Sequence, residues 1–426
     1  MYNAALLRPE KNQWGHDRPQ ALAGARAWCV GVLLLALVFH SMPCSARPQP
    51  VSPCVLNADG VQEPNEGPTD YSFLIRPAGR IHAVLLFVDF PDAPYTEAPS
   101  DLYSLLVPPA QKWLTEVSYG RVSLDVKPVN QWYRMSKPSE QYGFSKAIPS
   151  LTFEQHRTYV AEAVRLAAAQ VDFRKFQIVL VVASKGSQLP VSPTFHARPG
   201  EGIAVDGGEV RHAITFGADI RAALPNHARN VFVHEMGHLM GLPDLYDYEG
   251  SRKLQWKFVG AWDNMSSILV GAHLLAYHKL KFGWLDERQV KCATGPGTVT
   301  ATLTPLETRG GLKAIMMRTS PSSAYVVEVR QQSGVDRPLC DSGVLLYSVD
   351  AAVSAGHGVV KVLPAQAGTD PAAIEHCALL DNATYDLRAD KPSSYADPAT
   401  GITLRLESKR GDAYRVLLNW DPPKKQ

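Results

Sequence analysis

The sequence lacks the marks of a nucleic-acid-binding or membrane-embedded protein. Its 426 residues contain 43 Lys and Arg against 41 Asp and Glu, a formal net charge of +2, with no dense basic run. Nucleic-acid binding normally needs a clustered basic face, so we expect no nucleic-acid partner. A bilayer-spanning helix needs about 20 apolar residues in a row, which no segment provides. Apolar residues at 45% and charged residues at 20% are typical of a globular protein.

The N-terminal segment carries a shorter apolar run, from Trp28 to Phe39, after a stretch with basic residues. This run has the length of a signal-peptide core, and the small residues Cys44, Ser45 and Ala46 follow it. We therefore predict a signal peptide over 1–46, cleaved near Ala46, and a secreted protein without stable membrane insertion. An uncleaved membrane anchor is the alternative.

Cysteine is scarce, with 6 in the whole chain. Signal cleavage would leave Cys54, Cys292, Cys340 and Cys377. In an exported protein these four predict up to two disulfides. Three pairings are possible, and we mildly favour Cys340 with Cys377 without excluding the others.

The pattern along the chain predicts two folded regions. Residues 47–72 are rich in Pro, Asn, Glu and Gly, which indicates an N-terminal arm or a short propeptide. Periodicity then predicts buried strands at 81–90 and 177–183, helices at 101–117 and 155–170, a strand at 122–126, a surface loop at 185–208 and an edge strand at 211–216.

After Trp284 the character changes, because short alternating runs are separated by turn residues. Runs at 324–329 and 343–349 predict strands, and 402–420 predicts a hairpin. The fold class is therefore α+β, with an α+β domain over 73–290 followed by an all-β, sandwich-like domain over 298–422.

The stretch 230–247 carries the chemistry and contains the sequence NVFVHEMGHLMGLPDLYD. On a helix, His234 and His238 lie one turn apart on the same face, so both imidazoles can bind one zinc ion. Glu235 stands next to the first ligand and can act as general base on a metal-bound water. The bare HExxH pattern recurs by chance, so much of the evidence for a metal site comes from the residues that follow it.

Gly241 and Pro243 follow the second histidine. A glycine there can end the helix in a left-handed cap, and proline prevents the helix from resuming. The chain then turns back towards the metal and places Asp244 as a third, oxygen ligand, with Asp247 as the alternative. Three protein ligands and a water give the open tetrahedral site of a catalytic zinc.

These motifs resemble the M6 family of metallopeptidases, the immune inhibitor A-like group. The residues that carry the resemblance are LFVDFPD at 86–92, SYGRV at 118–122, the metal motif, GAWDNMS at 260–266 and AYHKLKFGW at 276–284. The resemblance implies a metzincin-like zinc-protease domain, extracellular proteolysis, one catalytic zinc and often structural calcium. It also implies a methionine turn beneath the zinc, built on Met265. The family usually has a Leu-Met pair there, whereas Asn264 precedes Met265 in this chain.

Other polar residues are interpreted without a chemical role. Asp89 and Asp92 fit a strand-end turn better than a calcium site. His273 and His278 fit surface or core positions better than ligand positions.

We therefore predict a secreted zinc metalloendopeptidase that hydrolyses protein or peptide substrates as a monomer, with Glu235 as base. An extended substrate would pair with the predicted edge strand near 214–216. Tyr246 and Tyr248 are expected to pack beside the site, with oxyanion donation as the alternative. The rival functions are a zinc-binding pseudoprotease and a secreted adhesion or binding module without turnover.

Overall fold

The computed structural model describes residues 53–147, 150–250, 254–366, 380 and 383–423. All of them belong to one of the two units into which the chain divides, Val51–Gln426. The predicted signal peptide over 1–46 lies outside the described residues. Within the described part, no helix combines the length and apolar character needed to cross a membrane.

A mixed sheet organises the first half of the chain. Its region contains β1 (Gly79–Asp89), β2 (Val122–Arg134), β3 (Ile178–Ala183), β4 (Thr194–His196), β5 (Ile203–Val205), β6 (Gly208–Val210) and β7 (His212–Phe216). The strand order is β2-β1-β3-β7-β4, with β5 and β6 forming a separate hairpin. The pairs β1 with β2, β1 with β3 and β3 with β7 are parallel, whereas β4 runs antiparallel to β7.

Helices cover both faces of this sheet. They are α1 (Pro99–Val117), α2 (Phe153–Ala167) and α3 (His227–Leu239). Leu85 and Phe87 of β1 point into a core with α1 and α3, while Leu86 and Val88 point into a core with α2. Because both faces of β1 are buried, its sequence is a continuous apolar run, as in other sheets with helices on both sides.

The sequence predicted these central elements, and the structure confirms the strands of β1, β2 and β3 and the helices α1 and α2. Two predictions nearby are wrong. The segment 185–208 contains β4 and β5, with Phe195 buried under α2. Strand β7 is not an edge strand, because β4 pairs with its outer side. A substrate therefore cannot pair with β7 at 214–216.

The second half of the chain is built of β-strands after the short helix α4 (Ala276–Lys281). The strands are β8 (Val290–Ala293), β9 (Gly297–Leu303), β10 (Ala314–Arg318), β11 (Ser323–Arg330), β12 (Gly343–Asp350), β13 (Val360–Val362), β14 (Ser394–Asp397), β15 (Ile402–Arg410) and β16 (Ala413–Trp420). They form two sheets, β13-β12-β11-β10-β8 and β14-β15-β16-β9. Val327 and Leu346 of the first share one core with Leu404 and Val416 of the second. The predicted strands and the 402–420 hairpin are confirmed, and the chain is a mixed α and β fold with several sheets and few helices.

A buried ionic cluster joins the two halves. Arg330 on β11 is fully buried, donates to the Trp262 carbonyl at 2.7 Å, and pairs with Asp336 at 2.6 Å. Glu328, on the same strand, accepts a hydrogen bond from the Ala276 backbone N–H at 2.7 Å. Buried charges need such partners to offset their lost hydration.

Residues 53–78, called the arm from here on, comprise the described part of the 47–72 segment and the residues up to β1, and they contact both halves. A disulfide joins Cys54 to Cys292 at β8. The Asn57 N–H donates to the Pro321 carbonyl at 2.9 Å, and the Ile75 N–H donates to the carbonyl of Leu239, at the end of α3, at 2.9 Å. Cys377, the favoured partner of Cys340 in the sequence analysis, lies outside the described residues.

Candidate metal centre

The helix that carries the metal motif, α3, ends at Leu239, one residue after His238. The Leu242 N–H donates to the Gly237 carbonyl at 2.9 Å, and the Gly241 N–H donates to the His238 carbonyl at 3.0 Å. These two bonds form a Schellman motif, which needs a left-handed residue after the helix. Gly241 has φ +103°, and a Cβ there would lie 2.6 Å from the Thr69 side chain, so only glycine fits.

The reversal at Gly241 brings three ligand atoms together. Asp244 Oδ1 lies 3.1 Å from His234 Nε2 and 3.2 Å from His238 Nε2, and the two Nε2 atoms are 3.2 Å apart. These three side chains are the only group of three His, Cys, Asp or Glu residues that converges in this way within the described residues.

Backbone carbonyls fix both imidazole rings. His234 Nδ1 lies 2.9 Å from the Asn264 carbonyl oxygen, and His238 Nδ1 lies 2.8 Å from that of Leu242. A carbonyl oxygen only accepts, so each Nδ1 carries the hydrogen and each neutral ring presents a lone pair at Nε2. The arrangement sets the tautomer that metal-binding histidines use.

The geometry fits a zinc ion. Three acceptor atoms this close repel one another unless a cation lies between them. Zinc-ligand distances of about 2.0–2.1 Å place the ligand atoms of a tetrahedral site about 3.3 Å apart, which matches the separations of the three atoms here. The fit therefore rests on donor type, tautomer and spacing together.

The pKa shifts at the site also favour a bound cation. Burial lowers the pKa of His238, but the Asp244 carboxylate reverses this and raises it to about 9. Burial raises the pKa of Asp244, but the two imidazoles hold it well below its usual range. The pocket thus favours positive charge at the place where a metal would sit.

The structure separates the two aspartates that the sequence left open. Asp244 joins the imidazoles, and its second oxygen accepts a hydrogen bond from the Tyr248 hydroxyl at 2.7 Å. Asp247 instead pairs with Lys257, and the Gln255 carbonyl accepts from its backbone N–H at 2.6 Å. Tyr248 thus does more than pack beside the site, because its hydroxyl donates to the candidate ligand Asp244.

Comparison with known proteins adds little to this geometry. No family model and no curated protein sequence matches the chain. Among solved structures, metalloproteinase-II from Bacteroides fragilis is similar, with 14% identity and a TM-score of 0.27. The match covers 50% of this chain and 54% of the other, so it spans about half of that protein. At this TM-score the match supports no conclusion about the site.

Glu235 lies next to His234 on α3 and is not one of the three residues that could hold a metal ion. It is half-buried on α3, and its carboxylate makes no hydrogen bond to another described residue. Burial raises the pKa of Glu235 to about 7, although His234 and His238 lower it. A carboxylate with a pKa near neutrality can both accept and return a proton.

The turn at 263–266 lies directly against α3. A Cβ at Gly237 would be 2.4 Å from Met265 Sδ, so the glycine lets the fully buried Met265 pack beneath the helix. The Met265 carbonyl also accepts a hydrogen bond from the Leu245 N–H at 3.0 Å. The turn therefore supports both the helix and the segment that brings Asp244 to the site.

The remaining polar candidates lie away from the metal centre. Asp89 forms a two-bond ion pair with Arg134, and Asp92 accepts two hydrogen bonds from Ser139. His273 and His278 are fully buried, which confirms a core position and excludes a surface one.

Proposed function

We propose that the protein is a secreted zinc-dependent endopeptidase of the metzincin type, related to the M6 family that its motifs resemble. The observation that carries the proposal is the convergence of His234, His238 and Asp244 within 3.2 Å, with a free carboxylate at Glu235. Residues 73–290 would form the catalytic domain and 298–422 the β-sandwich domain behind it. The turn at Met265 would be the methionine turn of this domain.

His234, His238 and Asp244 would hold the metal, which when bound supplies a Lewis acid and lowers the pKa of a water. The Glu235 carboxylate is placed to take the proton of the attacking water and to return it to the leaving amine. Tyr248 keeps Asp244 oriented during this exchange through its hydroxyl. The carbonyls of Asn264 and Leu242 hold the two rings in place.

The open side of β4 is the best candidate for substrate binding. Strand β4 ends the sheet, and no described strand pairs with its outer side. Its last residue, His196, lies close enough to His238 for their charges to interact: burial and then His238 lower the pKa of His196 to about 4. An extended peptide paired with β4 would pass beside the metal ligands.

If a substrate pairs with β4, N-methylation of its backbone should raise KM only at the amides that donate to β4. Methylation of an amide that donates to β4 should raise KM about 5-fold, because one backbone hydrogen bond is lost, while kcat stays near its original value. The matched control is the same peptide methylated at the neighbouring amide, which points away from the strand. Equal KM values for all methylated isomers would refute pairing with β4.

Metal removal is the direct test of the proposed function. The purified chain should cleave unfolded casein, lose this activity in a zinc chelator, and regain it when about one equivalent of zinc is restored. Zinc content would be measured on the same samples. Bound zinc without cleavage would favour a pseudoprotease, and a chain that binds no zinc would favour an adhesion module and refute the proposal.

A further inference from the structure

A buried chain of charged hydrogen bonds begins in the N-terminal arm. Glu66 is 1% exposed, and its Oε1 lies 2.8 Å from Nε2 of the fully buried His278 on α4. On the other side of the ring, Asp263 Oδ2 lies 2.8 Å from Nδ1. Both ring nitrogens face a carboxylate, so both donate and the ring is an imidazolium. Burial lowers the pKa of His278, but Glu66 and Asp263 raise it to about 10.

The charges around this ring balance. The imidazolium offsets one of the two carboxylates. Lys281, also on α4, donates to the Asn65 carbonyl and lies close enough to Glu66 for their charges to interact. The Tyr277 hydroxyl donates to the Glu66 carbonyl, which fixes the backbone of the arm at the same place. Both ring nitrogens, Glu66 Oε1 and both oxygens of Asp263 are hydrogen-bonded, whereas Glu66 Oε2 is buried without a hydrogen-bond partner among the described residues. Such buried polar contacts favour one arrangement of the residues that make them.

Asp263 passes this arrangement to the turn beneath the metal centre. Its Oδ1 accepts the Met265 N–H at 2.8 Å, and its Oδ2 accepts the Leu275 N–H at 2.7 Å. One carboxylate thus ties the turn to the start of α4. If the carboxylate rotates, both backbone positions lose a partner.

The turn at 263–266 positions two of the three candidate metal ligands, His234 and Asp244. The carbonyl of Asn264 accepts from His234 Nδ1 at 2.9 Å, and the carbonyl of Met265 accepts from the Leu245 N–H, next to Asp244, at 3.0 Å. The path from Glu66 to two of the three metal ligands is therefore continuous. Each of its links is buried and shorter than 3.1 Å.

We propose that Glu66 is a positioning residue of the metal centre, acting through His278 and Asp263 on the turn that orients His234. The inference rests on the proposed metal site and extends it to the arm. The arm is then a retained part of the mature fold, since its removal would leave Nε2 of the buried His278 without its partner. The Cys54–Cys292 disulfide keeps it attached.

Metal release measures this role without relying on activity. Loss of a partner that orients a metal-binding histidine typically weakens metal affinity about 10- to 100-fold. Glu66 acts on His234 only through His278, Asp263 and the turn, so we expect an effect at the lower end of this range. Glu66→Gln should release zinc to a chromophoric chelator about 10-fold faster than wild type. The matched control is Glu63→Gln in the same arm, whose carboxylate accepts the Asp70 N–H instead. It should release zinc at the wild-type rate.

Two further variants separate positioning from general stability. Val181→Ala leaves a cavity in the core on the opposite face of the sheet, so it lowers stability without touching the path. In a His278→Gln background, Glu66→Gln should add little, because both act through one path. If Glu66→Gln does not fold, Glu66→Asp, which keeps the charge but shortens the reach, should still speed release about 3-fold.

Equal release rates for wild type and the Glu66 variants would overturn the positioning role, as would equal acceleration by Val181→Ala. Additive effects of Glu66→Gln and His278→Gln would also overturn it. A wild-type chain with no zinc affinity would instead refute the proposed function itself. The two failures are therefore distinguishable in one experiment.

Discussion

Glu235→Gln is expected to lower peptide-bond hydrolysis about 10³-fold while the chain keeps its zinc. Glutamine has nearly the same shape but cannot take a proton from water, and loss of a general base costs about 10²- to 10⁴-fold. Zinc should stay because Glu235 is outside the group of His234, His238 and Asp244. Casein cleavage and zinc content on the same samples measure both parts.

The pH profile provides a second readout of the same residue. Burial raises the pKa of Glu235 to about 7 in the metal-free protein, and a bound cation would lower it. The base is active when deprotonated, so wild-type activity should fall on the acid side, at a pH below 7, and the residual activity of Glu235→Gln should lack this step.

The matched control is Glu249→Gln, an exposed carboxylate close in sequence to the site. It should keep wild-type rates and zinc. If Glu235→Gln retained wild-type turnover, another group would be the base. If it lost zinc, the carboxylate would be a ligand instead of a base.

Asp244→Ala is expected to weaken zinc binding more than about 100-fold. Loss of groups that only orient a ligand already costs about 10- to 100-fold, and Asp244 supplies a ligand atom itself. The chain offers its own control, because Asp247→Ala removes the same side chain three residues later. Since Asp247 pairs with Lys257 and accepts the Glu249 N–H away from the imidazoles, that variant should keep zinc and lose only these two interactions.

Zinc affinity would be measured by competition with a chelator for both variants. Circular dichroism would show that each variant folds. If Asp247→Ala lost zinc and Asp244→Ala kept it, the third ligand would be wrong. Similar losses in both variants would indicate that the whole segment acts as one structural unit.

The sequence predicts best where a local rule determines the structure. The continuous apolar run of β1 predicts burial on both faces, because polar residues are excluded there. Gly241 and Pro243 predict the end of the helix and the reversal that brings Asp244 to the imidazoles, because few residues tolerate a positive φ. These signals lie within a few residues of the feature they predict.

The sequence fails where the structure depends on distant partners. Strand β4 has only three residues, too few for a periodic pattern, and it forms because β7 offers a free edge. Glu66 stands 212 residues before His278, and nothing near either residue marks the pair. The side chain of Asn264 gives no signal of its own, because it is the backbone carbonyl of this residue that orients His234.

The buried cluster around Arg330 has a consequence for inheritance. An accessory module can be exchanged between proteins when its boundary is polar and wet, because each side then survives alone. Here the Trp262 carbonyl and the Ala276 N–H on one side complete the hydrogen bonds of Arg330 and Glu328 on the other. A recombination event between the two halves would leave the buried Arg330 and Glu328 without these backbone partners. The β-rich second half and the half that contains the candidate metal centre should therefore be transmitted, and lost, together.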